Sequence, residues 1–104
     1  MIVQGTLDML ILKTLALEPM HGYGIALRIE QVSQGVFSVN AGSLFPAFRG
    51  LEREGCIRAV WKPTENKRRA KYYALTARGR KQLQSEAEKW SRQSIAIDRI
   101  MEVC

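Results

Sequence analysis

The segment from Asn40 to Gly55 restricts the fold most, because its residues specify both ends of one helix. Ser43 is a favourable N-cap residue, and Pro46 then falls in the first turn, where its missing N–H costs nothing. Gly55 suits the left-handed conformation that ends many helices. The sequence therefore predicts a helix over 43–54.

This predicted helix has two unlike faces. Apolar side chains recur at helical spacing on one face, at Leu44, Phe48 and Leu51. Arg49 and Arg53, four residues apart, project from the other face. One interpretation is an ordinary amphipathic helix with a solvated basic edge, and the other is a helix presented to a second molecule. Gly50 favours presentation, because its small size allows close approach although a glycine inside a helix costs about 1 kcal/mol.

After Gly55 the apolar period changes from that of a helix to that of strands. Alternation over 57–62 and over 69–75, with turn residues between, predicts a two-stranded hairpin. The hairpin carries one acidic residue, Glu65, against the basic residues Lys62, Lys67, Arg68, Arg69 and Lys71. Such a hairpin directly after a presented helix is typical of a wing. Tyr72 and Tyr73 point to opposite faces, so one of the two is expected in the core.

Two further helices are predicted upstream, from Thr6 to about Leu17 and from Tyr23 to about Val32, with a turn at 20–22 and an extended piece over 36–39. The short connection between the second and third helices is that of a helix-turn-helix unit, which suggests DNA binding. The first helix is apolar on two sides, Leu12 lying on the second, so we expect it to have a further neighbour.

Thr76 is a favourable N-cap for a last helix of about 25 residues, or near 38 Å. A coiled-coil-like seam runs along this helix through Leu83, Ala87, Trp90, Ser94, Ile97 and Met101. A domain of this size cannot cover the whole seam. We therefore predict a homodimer held by the seam and by Leu12 of the first helix. Trp90 is expected in the dimer core, and the alternative is a platform for a small aromatic effector.

The composition narrows the choice of partner. Sixteen Lys and Arg against ten Asp and Glu give a net charge of +6 and a pI near 9.8, which favours an anionic partner. Without a long apolar run or a secretory signal, the chain is expected to be cytoplasmic and to have no membrane partner. The lone His21 with Cys56 and Cys104 cannot form a zinc site within one chain. We therefore expect no catalytic residues, no cofactor, no metal and two free thiols. His21 is expected to order the turn into the second helix.

The motifs, taken in order, resemble those of the PadR-like family of bacterial winged-helix transcriptional regulators, particularly its short members with a single C-terminal helix. The resemblance covers essentially the whole chain and rests on Gly5-Thr6-Leu7-Asp8, His21-Gly22-Tyr23-Gly24, Gly42-Ser43-Leu44-Phe45-Pro46-Ala47, Leu51-Glu52-Arg53-Glu54-Gly55 and the run from Arg69 to Gly79. Phe45 is a departure, because the family usually has tyrosine there, and a phosphate contact through that hydroxyl is lost. The resemblance implies a homodimer that binds operator DNA, usually represses and responds to a small-molecule inducer.

We therefore expect a mainly α fold with a small antiparallel β-hairpin, a winged helix-turn-helix over 1–76 followed by a dimerisation helix over 77–104. The predicted function is regulation of transcription, as a repressor, through double-stranded DNA bound by helix 43–54 and the wing 57–75. The alternatives are a winged-helix protein-interaction scaffold and a non-specific nucleic-acid-binding protein. Predicted DNA contacts are Asn40, Ser43, Pro46, Arg49, Arg53, Lys67, Arg68, Arg69 and Lys71. Arg49 is expected at a base edge and the wing at phosphates.

Overall fold

A computed structural model of the chain describes residues 6–63 and 68–104. In this part of the chain the elements are α1 (Thr6–Leu15), β1 (Met20–His21), α2 (Gly22–Val32), α3 (Ala41–Arg53), β2 (Ile57–Pro63), β3 (Arg69–Leu75) and α4 (Ala77–Val103). Their order confirms the predicted winged helix-turn-helix followed by a long C-terminal helix.

Helix α3 begins earlier than the sequence predicts. Asn40, not Ser43, is the N-cap, and its Oδ1 accepts a hydrogen bond of 3.0 Å from the Ser43 N–H. Pro46 therefore lies inside the helix rather than in its first turn. At this position its missing N–H leaves the Gly42 carbonyl without the usual helical hydrogen bond. The predicted end is confirmed, because Gly55 has a φ of 76°.

The sheet has a third strand that the sequence analysis did not predict. Met20 and His21, predicted to lie in a turn, pair antiparallel with Tyr73 and Tyr72 of β3, so the strand order is β1-β3-β2. The predicted extended piece over 36–39 forms no strand, although two of its side chains pack against the core. The hairpin of β2 and β3 is confirmed.

The core lies between the three N-terminal helices and one face of the sheet. Its buried residues are Ile11, Leu12, Leu15, Ile25, Ile29, Leu44, Phe48, Leu51, Cys56, Ile57 and Tyr73. The prediction that Leu12 contacts a second subunit is wrong, because its side chain is 0% exposed in the single chain. Helix α1 packs against both α2 and α4 of its own chain, so its second apolar side is covered within the protomer.

The first turn of α4 is fixed against the end of α3. Thr76 is the N-cap as predicted, since its Oγ1 accepts a hydrogen bond of 3.0 Å from the Gly79 N–H. The same hydroxyl donates to the Gly55 carbonyl at 2.6 Å, and the Thr76 N–H donates to the Cys56 carbonyl at 3.1 Å. A Cβ atom at Gly79 would clash with that Cys56 carbonyl oxygen, so only glycine permits this approach.

Beyond this turn, α4 extends away from the core. Its 27 residues span about 40 Å and make the molecule elongated, with extents of 58 × 28 × 22 Å. Gly79 is the only buried residue of this helix, and Leu83 is partly buried against the core. Within residues 6–63 and 68–104, no helix has the apolar length that crossing a bilayer requires.

Candidate nucleic-acid interface

Helix α3 buries one side and presents the other to solvent. Leu44, Phe48 and Leu51 are buried, as predicted. The exposed side, which we name the outward face of α3, consists of Gly42, Phe45, Pro46, Arg49 and Arg53. The two guanidinium groups lie one helical turn apart on this face, as the sequence predicts.

Two further predicted contacts, Asn40 and Ser43, are exposed at the start of α3. The Asn40 amide oxygen is used by the cap, so only its NH₂ group is available to an external acceptor. Their position at a helix N-terminus suits an anion, because the helix dipole and the first backbone N–H groups both favour negative charge.

The wing carries basic residues at the last paired positions of β2 and β3. Arg69 lies opposite Pro63, and Lys62 lies opposite Ala70. Arg68 and Arg69 are both exposed, whereas Lys67 lies outside the residues that the structure describes. The Lys62 ammonium lies 5.3 Å from the centroid of the Tyr72 ring, a cation–π contact that holds it along the strand.

Lys71 does not extend outward with the other basic residues. Its Nζ lies 3.3 Å from Oε1 of Glu52 and 5.2 Å from the centroid of the Tyr73 ring. Partial desolvation lowers the pKa of this ammonium, but the hydrogen bond to Glu52 and the nearby Tyr73 outweigh it, so the pKa lies above its ordinary value. Lys71 and Tyr73 share the strand face that packs on α3. Lys71 therefore connects the wing to α3 through Glu52.

The wing and α3 are also joined through the core. The Tyr73 and Phe48 rings pack with centroids 4.4 Å apart, and an added Cβ at Gly22 would lie 3.1 Å from the Phe48 ring. Tyr73 is thus the tyrosine that lies in the core, a choice that the sequence left open. The Tyr72 ring instead makes an edge contact with the His21 ring, with centroids 5.8 Å apart. The start of α2, the middle of α3 and the wing form one packed unit with a fixed spacing.

His21 has the structural role that was predicted. Its Nδ1 accepts a hydrogen bond of 3.2 Å from the Tyr23 N–H, which caps α2.

Cys56 is buried, Cys104 is exposed, and both are free thiols. In the described residues, His, Cys, Asp and Glu side chains form no group of three that could hold a metal ion.

The predicted seam on α4 is exposed from Ala87 onward. The exposed fractions are 47% for Trp90, 54% for Ile97 and 74% for Met101. Leu83 differs, because it packs partly against the protomer's own core.

The sequence analysis missed apolar side chains on the other sides of α4. Ile95, Ile100 and Val103 are each more than half exposed. The available signal was the mostly apolar run at the end of the helix, which exceeds a single seam. A groove of about 290 Å³ between α1 and α2 is similarly apolar, and it is lined in part by Leu10, Leu17, Ile29, Val32 and Phe37.

Known proteins share both the sequence pattern and the fold. Residues 11–85 match the model of the transcriptional regulator PadR-like family. An uncharacterized protein from Lysinibacillus sphaericus is 28% identical over 101 residues, which cover 97% of this chain and 93% of that protein.

Two solved structures show the same architecture. A transcriptional regulator from Clostridium thermocellum has a TM-score of 0.84 and 28% identity, with 92% of this chain and 93% of that chain covered. A PadR-like transcriptional regulator from Bacillus cereus strain ATCC 14579 has a TM-score of 0.81 and 23% identity, with 94% of this chain and 93% of that chain covered. Because the family model matches more than half of its length, the chain belongs to the PadR-like family, whose members are transcriptional regulators and not enzymes.

Proposed function

We propose that the protein is a cytoplasmic repressor that binds operator DNA as a homodimer, with residues 1–76 contacting DNA and 77–104 forming the dimerisation helix. The observation that carries this proposal is the fixed relation between the outward face of α3 and the basic wing. In this arrangement α3 enters the major groove and places Arg49 at a base edge, where a guanidinium can bond bidentately to guanine.

The wing supplies charge rather than sequence information. Lys67, Arg68 and Arg69 neutralise phosphates beside the groove that α3 occupies, consistent with a net charge of +6. Lys71, which pairs with Glu52 in the single chain, stays a predicted DNA contact.

The homodimer is supported by the apolar surface that one chain leaves uncovered. Exposed apolar side chains lie on several sides of α4, among them Trp90, Ile95 and Met101, and exposed apolar surface marks interaction sites. The seam at Ala87, Trp90, Ile97 and Met101 meets its symmetry mate. The remaining apolar side chains of α4 lie in the α1–α2 groove of the second copy, so Leu10 of α1 and Leu17, two residues after its end, contribute in place of Leu12.

An effector site at the dimer axis completes the proposal. Trp90 is half exposed, and its seam neighbours Ala87 and Ser94 are small. Two such rings related by symmetry can enclose a flat aromatic molecule, whose binding shifts α4 and releases DNA. Titrating planar aromatic compounds should quench tryptophan fluorescence in the wild type. In a Trp90→Phe variant only Trp61 remains, and equal quenching there would assign Trp90 to the dimer core alone.

The decisive experiment is selection of DNA by the purified protein from random genomic fragments, followed by sequencing. Enrichment of a common sequence supports an operator-binding regulator. If all fragments are retained equally, the protein binds nucleic acid non-specifically. If no fragment is retained, the protein is an interaction scaffold.

Variants then separate the two parts of the surface. Arg49→Ala should cost about 1–3 kcal/mol on operator DNA and little on random DNA. Arg69→Ala should weaken binding to both DNAs and reduce the salt slope by about 0.9. Lys81→Ala is the control, since this exposed lysine lies on the side of α4 away from the seam and well before the part of the helix that carries Ile95 and Val103. Equal losses on both DNAs from Arg49→Ala would show that α3 does not read bases.

A further inference from the structure

The outward face of α3 offers few hydrogen-bonding groups to base edges. Of its five residues, only Arg49 and Arg53 have polar side chains, and Arg53 is the last residue of the helix. Ser43 adds one hydroxyl at the start of the helix, and the first two turns otherwise present Gly42, Phe45 and Pro46 on this face. A helix in the major groove reads bases mainly with its N-terminal residues, so most of what this helix offers there is apolar.

Phe45 is the large side chain of this apolar part. Its ring is 49% exposed. The covered part meets the buried Phe48 ring in an edge contact, with centroids 6.2 Å apart and planes at 76°. A cavity of about 220 Å³ lies beside the ring, bordered by Tyr23 and Val39. Phe45 therefore contacts the core through Phe48 while about half of its surface is open to solvent.

The chemistry of this ring selects what it can contact on DNA. Phenylalanine carries no hydrogen-bond donor or acceptor, so it cannot bind a phosphate oxygen. The major-groove edge offers one apolar group, the C5-methyl of thymine, which distinguishes thymine from the other bases. Arg49, one turn further along the same face, attracts this surface to the polyanion and orients it.

We propose that Phe45 selects thymine in the operator by packing against the C5-methyl group. Because one helical turn advances about 5.4 Å and successive bases lie about 3.4 Å apart, this thymine lies one or two base pairs from the pair that Arg49 contacts. The inference rests on the proposed function and adds the chemical group that is read.

Replacing thymine by deoxyuridine tests the proposal, because it removes the methyl group and keeps the base pairing. Each thymine of the selected operator is replaced singly, and binding is measured by fluorescence anisotropy. Burial of one methyl-sized group corresponds to about a fourfold change in Kd. For the wild type we expect a fourfold loss at a thymine one or two base pairs from the pair that is sensitive to Arg49→Ala.

Variants assign the effect to the ring. Phe45→Ala should bind thymine and uracil operators equally at that position, whereas Phe45→Leu, which keeps an apolar side chain, should retain part of the difference. Leu27→Ala is the matched control, because it shortens a side chain that is 55% exposed on α2 and should leave the fourfold difference intact. Circular dichroism and light scattering confirm that each variant is folded and assembled as the wild type is.

Three results would overturn the inference. If no uracil substitution weakened binding, or if Phe45→Ala kept the fourfold difference, the ring would not read thymine, while the proposed regulator would stand. If the selection enriched no sequence, the inference and the proposed function would fail together.

Discussion

Replacing Gly79 by alanine should destabilise the protein, although alanine is the better helix former by about 1 kcal/mol. The new Cβ atom would clash with the Cys56 carbonyl oxygen and lie 2.7 Å from Cδ1 of Leu75. The carbonyl has little freedom to move, because it accepts the Thr76 N–H at 3.1 Å. Leu75 is restrained by its pairing with Ile57. Overpacking a rigid site costs about 1–3 kcal/mol, occasionally more, so the clash outweighs the gain in helix propensity.

Gly50→Ala is the matched control for this substitution. Gly50 also lies inside a helix, but an added Cβ there meets no atom within 4 Å. The variant should therefore show the full stabilisation of about 1 kcal/mol. It should also bind DNA more weakly, since the added methyl group obstructs close approach of α3.

Thermal and urea denaturation followed by circular dichroism compare the two variants with the wild type. A difference of 1 kcal/mol shifts the melting temperature of a domain of this size by about 4–8 °C, so the two variants should differ by more than that. If Gly79→Ala proved as stable as Gly50→Ala, the close packing of α4 on Cys56 would be refuted.

Three further predictions concern assembly, pH and thiol reactivity. Trp90→Glu should yield monomers in light scattering and lose operator affinity, because a monomer reads one half-site, whereas the equally exposed Trp61→Glu on the wing should stay dimeric. Burial, reinforced by nearby carboxylates, raises the pKa of Asp8, so the folded state binds a proton more readily and stability should rise as pH falls through that pKa toward 3.8. Asp8→Asn should accordingly unfold at a higher temperature than the wild type at pH 7, with the advantage shrinking at lower pH. Burial likewise raises the pKa of the Cys56 thiol, so a thiol reagent should modify the exposed Cys104 rapidly and Cys56 only after unfolding.

Periodicity located the first three helices and the hairpin because each of these elements buries one face of its side chains, and it located α4 through an apolar seam that the single chain leaves exposed. The start of α3 is different, because Asn40 and Ser43 are both good caps. Which of the two residues caps the helix depends on whether Pro46 can lie inside the helix. That in turn depends on how Leu44 and Phe48 pack in the core, which the local sequence does not show. A two-residue strand such as β1 is too short to leave a period.

The contacts of Leu12, Lys71 and Tyr73 could not be assigned from the sequence, for a common reason. The second apolar side of α1 could be covered by another copy or by the same chain, and only the path of α4 shows that Leu12 is covered within the protomer. The face of β3 that packs on α3 contains either Tyr72 or Tyr73, and alternation alone treats the two equally. Once Tyr73 is placed in the core, Lys71 must lie on the same side, within reach of Glu52.

The pairing of Met20 with Tyr73 has a consequence for how this protein can diverge from its relatives. Residues 16–19 connect α1, whose last residue Leu15 is buried, to a strand and a cap that are both fixed. One inserted residue would have to bulge out between Leu15 and Met20, or it would move Met20 out of register with Tyr73. Surface loops usually accumulate insertions and deletions freely. We expect this connection to keep its length while the amino acids around it drift.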